Sequence, residues 1–376
     1  MRWFARIIKS DIAIIIGITV VWRVFLFIPE FLGNTFLPQR SGYIGPIPWA
    51  NFDGTHYLSI AKDGYFQYEH AFFPVFPMLI KNLEKLLRIT YLDSALLIIC
   101  VSLLLSLILL YKLALLDVNI KKARWAIIMV LSFPTSFFLT AVYSEGLFLT
   151  LSIASFYAAR KKRWVIAGIL GGLASATRVV GVFLFPALIL EYLYQKKNKE
   201  STINTIKRVI KHAWGIFLIP FGLGWYMYYL HNFIGDAFAF IHSQFAFGAN
   251  RSSGEIILLP QVLFRYANIL LTIPTSNYDF WIALFELVMF SLVILFLITQ
   301  IRKMRISYLV YSCFVVIIPT LSGTLSSEPR YVLAAFPIFI YLATIRNTLV
   351  KYTILVSGII FEIILTSLFL RGYFVS

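Results

Sequence analysis

DSALLIICVSLLLSLILLYKLALL, residues 93–116, carries no charged side chain between Asp93 and Lys112. At about 1.5 Å of rise per residue, a helix of this length crosses a hydrocarbon layer about 30 Å thick and satisfies its own backbone where no water can. The stretch therefore predicts a transmembrane helix. The whole chain agrees, since 60% of its 376 residues are hydrophobic and only 13% are charged, against roughly 25% charged in soluble domains. Further apolar runs near 10–29, 125–142, 145–159, 164–177, 178–195, 212–231, 281–300, 307–321, 330–345 and 352–370 bring the expected total to about eleven spans. The fold class expected is an all-α polytopic membrane protein, built as a single membrane domain over residues 1–376. The N-terminal run follows a basic start and has no small-residue cleavage site, so it reads as a retained first span. Cys100 and Cys313 sit in apolar runs and read as small buried side chains.

Lysine and arginine number 33 against 17 aspartate and glutamate. In a membrane protein that excess reports topology, so no nucleic-acid partner is expected. Arg2, Arg6 and Lys9, the basic runs at 121–124 and 160–163, the linker 195–211 with Lys207 and Arg208, the run 302–305, and Arg346 with Lys351 fall at every second connection. This pattern puts the N-terminus in the cytoplasm and the C-terminus outside. The outer side then receives a first loop, 33–92, and a second large loop, 232–280. Residues 73–90 mix apolar positions with Lys81, Glu84, Lys85 and Arg88, the pattern of a short helix lying at the outer interface. Gly168, Gly172 and Ala176, with Gly215, Gly222 and Gly224, predict closely packed helices.

Ionisable groups far apart in sequence gather on that outer side: Asp53, Glu69, Glu145, Arg178, Asp236, Glu328 and Arg330. Charges near membrane depth are costly and usually line a substrate or ion path, which predicts an outward-opening cavity. Solvated loops are the alternative, but Glu145 and Arg178 fall at tight junctions between helices. The richest stretch is WANFDGTHYLSIAKDGYFQYEHAFFPVFPML, residues 49–79. Asp53 and His56, three apart, share one face of a short helix. A carboxylate roofed by aromatic rings and partly desolvated suits general-base work. The competing role for Asp53 is an N-cap that accepts backbone N–H groups near Thr55 or His56. Arg178 and Arg330 suit a phosphate, or else snorkel to headgroups. No H-E-x-x-H or D-x-D occurs, so a divalent metal stays open without being indicated and no cofactor is certain; the absence of G-x-S-x-G disfavours a serine nucleophile. The sequon at Asn250 carries no weight.

Five ordered motifs, FDGTHYLSIAKDGY (52–65), YEHAFFPVFP (68–77), SFPTSFFLTAVYSEGLFL (132–149), GLASATRVVG (172–181) and SSEPRYVLAAFP (326–337), resemble the PIG-V-like family of GT-C membrane glycosyltransferases and its prokaryotic members. The resemblance covers roughly residues 10–345. It implies transfer of a sugar, typically mannose, from a polyprenyl-phosphate donor to a lipid, glycan or protein acceptor on the extracytoplasmic face of a cell membrane. It also implies Asp53 as catalytic base, inversion at the anomeric carbon, and substrate contacts from His56, Tyr57, Glu69, His70, Glu145, Arg178, Arg330 and Tyr331. The stretch HNFIGDAFAFIHSQ (231–244) resembles a later family loop and adds Asp236 and Gln244. The alternative is a transporter or flippase for a lipid-linked sugar, which would show inverted repeats and broken midplane helices.

Overall fold

The computed structural model describes residues 2–40, 44–196, 209–249 and 251–375, with side chains from residue 11 onward. Asn250, the Lys207 and Arg208 part of the linker, and the side chains of Arg2, Arg6 and Lys9 lie outside the described residues. Every regular element among those described is helical.

Asp11–Phe36, Tyr91–Ala114, Val179–Lys196, Tyr278–Gln300 and Thr348–Leu370 are long and apolar enough to cross a membrane, and Trp164–Ser175 and Ile306–Ser322 are shorter apolar helices. Length and composition thus do not reach the expected eleven spans, because several apolar runs fold in pieces. The run 125–142 becomes the helix Ile120–Leu131 and a 3-10 turn, Ser136–Leu139. The run 330–345 becomes Glu328–Ala334 and Pro337–Leu342. Pro134 and Pro337 stand at these breaks, where a missing N–H and a ring clash stop a helix. Within 232–280, Pro260 opens an unexpected helix, Leu259–Thr272. Cys100 is exposed on the outside of its helix and not buried.

Tyr91–Ala114 packs along Glu145–Arg160, which packs on Trp164–Ser175, which in turn holds Ile219–Ile234. Glycine makes the last contact. A Cβ on Gly168 would lie 1.7 Å from the Gly215 carbonyl oxygen, and one on Gly222 would lie 1.9 Å from that of Gly172. Backbones in lipid approach this closely only over small residues. Gly224 has open space instead.

The helix Glu145–Arg160 has a charged cluster at each end, about 24 Å apart for its 16 residues. At its C-terminal end Arg160 binds both Asp117 oxygens at 2.7 and 2.9 Å, while Arg305 and Ser307 donate to the fully buried Glu191 at 2.8 and 2.6 Å. Arg124 and Tyr111 both donate to buried Asp11. Some arginines of the basic connections therefore clamp helix ends together. The cluster at the other end, around Glu145, is the candidate site.

Candidate active site

The helix Asp53–Asp63 begins abruptly. Phe52, just before it, sits at φ +55°, a region that costs a non-glycine residue on the order of 1–3 kcal/mol. The surrounding contacts hold it there. Asn51 donates to the Phe369 carbonyl (3.0 Å) and accepts from the Gly45 N–H (3.0 Å), Val142 N–H donates to the Trp49 carbonyl (2.8 Å), and the Phe52 ring packs on Phe369 and Phe374. The segment 44–52 is thereby strapped to the last long helix. The strap aims Asp53, the first helical residue, inward. The helix has no side-chain N-cap bond; Asp53 Oδ2 instead accepts from Arg330 Nη2 at 2.8 Å. The capping role is not the one the carboxylate plays.

Arg330 is 7% exposed and lies over the rings of Phe138 and Tyr143. It also donates to Glu145 Oε1 through Nη2 (2.7 Å) and Nε (3.1 Å), and Arg178 Nη1 reaches the same oxygen at 2.5 Å. The buried Arg330 guanidinium, the partly buried Arg178 guanidinium and two carboxylates form a quartet without net charge, the condition under which ions persist in a protein interior. Glu145 Oε2 has no hydrogen-bond partner among the described residues.

A cavity of about 430 Å³ opens over this quartet, and seven of the expected site residues line it: Asp53, His56, Tyr57, Arg178, Gln244, Arg330 and Tyr331. Two more stand behind its wall. Glu145 holds both arginines, and Glu69 accepts from His56 Nδ1 (2.9 Å) and from the Phe66 N–H (3.1 Å), fixing an imidazole already stacked on Phe72. Tyr57 shares a 2.9 Å hydrogen bond with Ser144. The other two lie off the cavity. His70 is buried against Tyr65 with Nε2 unpartnered, and burial pulls its pKa down against the opposing pull of Glu69. Asp236 pairs with His242 at 2.7 Å on the exposed face, and that hydrogen bond lowers its carboxyl pKa.

The sequence reading missed Arg251, Ser327 and Phe52, which also line the cavity. Arg251 Nη2 donates to Ser327 Oγ at 3.2 Å, and Ser327 is held at φ +68°. Among the described residues no carboxylate lies within 4.0 Å of Arg251, so it is the guanidinium on this wall outside the neutral quartet. Next to Ser327, Glu328 is buried with both carboxyl oxygens unpartnered among the described residues, and burial followed by the nearby Glu286 charge holds its pKa well above the ordinary value. The described residues contain no group of three His, Cys, Asp or Glu side chains placed to hold a metal ion.

The family model described as Mannosyltransferase (PIG-V) matches residues 41–238, more than half of the chain. The chain belongs to the PIG-V mannosyltransferase family. Its curated relatives include GPI alpha-1,6-mannosyltransferase 2 of Homo sapiens, 28% identical over 52% of this chain and 44% of that protein. The Mus musculus protein of the same name is 31% identical over 42% and 36% of the respective chains. The PIG-V family chain described here thus aligns with less than half the length of these relatives. Among solved structures it is similar to ArnT from Cupriavidus metallidurans bound to undecaprenyl phosphate, with TM-score 0.52, 15% identity, and coverage of 91% of this chain and 62% of ArnT. The apo form of ArnT gives 0.50 and 16% over the same shares. These likenesses show the GT-C fold, an all-helical multi-pass membrane architecture.

Proposed function

We propose that this PIG-V family chain is a membrane hexosyltransferase that moves a sugar, mannose by family, from a polyprenyl-phosphate donor to an acceptor hydroxyl on the extracytoplasmic side. The observation that carries this reading is the convergence of Asp53 and three guanidiniums on one cavity. Asp53 Oδ2 is engaged by Arg330, which leaves Oδ1 to take the acceptor proton. As the acceptor oxygen bonds to the anomeric carbon, the bond from that carbon to the phosphate oxygen breaks and the phosphate leaves with the electron pair. Displacement from one face inverts the configuration.

Charge grows on the leaving phosphate, so the barrier falls if a fixed cation faces it. Arg178 and Arg330 already neutralise Glu145 and Asp53. Arg251 is therefore assigned to the donor phosphate, with Arg330 fixing the base. Loops 33–92 and 232–280 both supply cavity wall, through Asp53 and His56 on one side and Gln244 and Arg251 on the other. Gln244 and Tyr331 are assigned to the sugar hydroxyls.

The test is transfer by purified protein in nanodiscs from radiolabelled polyprenyl-phosphate mannose to an envelope lipid extract, with the product anomer assigned by NMR. The reading expects label in a product whose anomeric configuration is opposite to the donor's. Retained configuration, or lipid movement across the membrane without bond formation, would contradict it.

A further inference from the structure

A second cavity also takes part of its lining from the strap, through Trp49. It is a groove of about 250 Å³ lined by Thr19, Arg23, Phe27, Glu30 and Trp49, with Val20 and Val24 at its margin. Arg23 stands near the middle of the 26-residue apolar stretch Asp11–Phe36. Its guanidinium lies 5.8 Å from the Trp49 ring centroid, and no hydrogen bond or ion pair engages it among the described residues. Its helix ends two residues on, at Phe25, and the next opens at Phe27, so the guanidinium stands at a helix break beside the groove. A charge held against acyl chains needs a counter-ion.

The groove says which kind. Val20, Val24 and Phe27 are 56%, 59% and 66% exposed, so in a spanning helix they face acyl chains. The counter-ion that reaches Arg23 along such a surface is an anion carrying apolar tails. Glu30, in the first turn of the next helix, lines the same groove. A carboxylate there accepts hydrogen bonds and repels a second phosphate. Acyl-facing side chains, a cation and an acceptor thus share one groove, matching a lipid's tails, phosphate and N–H-bearing or hydroxyl-bearing headgroup.

We propose that the Arg23 groove docks one phospholipid, its phosphate on Arg23 and a donor-bearing headgroup on Glu30. Trp49 of this groove and Phe52 of the reaction cavity belong to the same strap. The lipid is thereby seated along the strap that also walls the reaction cavity. The inference rests on the groove itself and is independent of the transfer reaction.

The test is native mass spectrometry of delipidated full-length protein after titration with phosphatidylethanolamine or with phosphatidylcholine, whose quaternary amine has no N–H to donate. Wild type should retain phosphatidylethanolamine preferentially. Arg23→Gln should weaken retention about tenfold or more, the scale of one charge-assisted hydrogen bond. Glu30→Gln should erase the preference between the two lipids while Arg23 still holds phosphate, and it guards against misreading a misfolded Arg23 variant. Equal retention by wild type and Arg23→Gln would overturn the proposal. Displacement of the lipid by millimolar inorganic phosphate would also overturn it, by pointing to a free-anion site.

Discussion

Arg330 Nη2 reaches Asp53 Oδ2 at 2.8 Å across 277 residues of sequence, tying the start of the helix Asp53–Asp63 to the helix Glu328–Ala334. The same nitrogen donates to Glu145, so one planar guanidinium sets the position of both carboxylates. Lysine keeps the charge but not the fork. Arg330→Lys should cut kcat/KM for transfer about 100-fold through misplacement of Asp53. Arg330→Ala leaves buried carboxylates uncompensated and should cost about 3–5 kcal/mol of stability. Thermal unfolding in detergent alongside initial rates separates the two effects.

Arg251 stands outside the neutral quartet, and its guanidinium donates to Ser327 Oγ and to the Phe247 carbonyl. Arg251→Gln should lower donor affinity and the transfer rate together, about 10- to 100-fold in kcat/KM, with little change in melting temperature. Arg251→Lys should recover part of the rate. Equal rates for wild type and Arg251→Gln would move the phosphate site elsewhere.

Glu328 carries a sign that can be measured. Its folded pKa is held above the ordinary 4.5, so the folded state binds the proton more tightly than the unfolded chain. Stability is then complete below pH 4.5 and declines as pH rises above it toward the folded pKa. Glu328→Gln mimics the protonated form and removes the decline. The variant should match wild type near pH 4.5 and melt higher at pH 8, by a few degrees as an order of magnitude. A variant that melts lower at pH 8 would show that the charged carboxylate has a partner in the folded protein.

The contact between Trp164–Ser175 and Ile219–Ile234 admits no side chain at Gly222, where a Cβ would meet the Gly172 carbonyl oxygen at 1.9 Å. Gly222→Ala should destabilise by roughly 1–3 kcal/mol. Gly224→Ala, with open space around it, should be neutral. Melting temperatures of the pair check both.

Much of this was legible in residue types and spacing. The absence of charge between Asp93 and Lys112 predicted a spanning helix, and Tyr91–Ala114 is a single helix long and apolar enough to cross a membrane. The gathering of Asp53, Glu145, Arg178 and Arg330 followed from placing every second connection on one side. Helix length does not reach the eleven-span count where prolines cut apolar runs, because hydropathy averaged over a window does not see a missing N–H. Asp53 read equally well as an N-cap, since a strained Phe52 as cap residue has no signature in sequence. Arg251 was hidden inside a three-residue sequon in a long connection, and only the fold sets it against Ser327. Asp236 and His70 shared motifs with residues that line the cavity, yet one faces outward and the other into a cluster of rings. Adjacency in a motif does not fix the direction of a side chain.

The central claim is that Asp53 removes the acceptor proton. The most direct measurement is the single-turnover transfer rate of Asp53→Asn against wild type, with donor binding and melting temperature confirmed for both. The account predicts a fall of about 100-fold or more, and a smaller fall for an acceptor whose hydroxyl is made more acidic by neighbouring fluorine. Transfer by Asp53→Asn at the wild-type rate would contradict it.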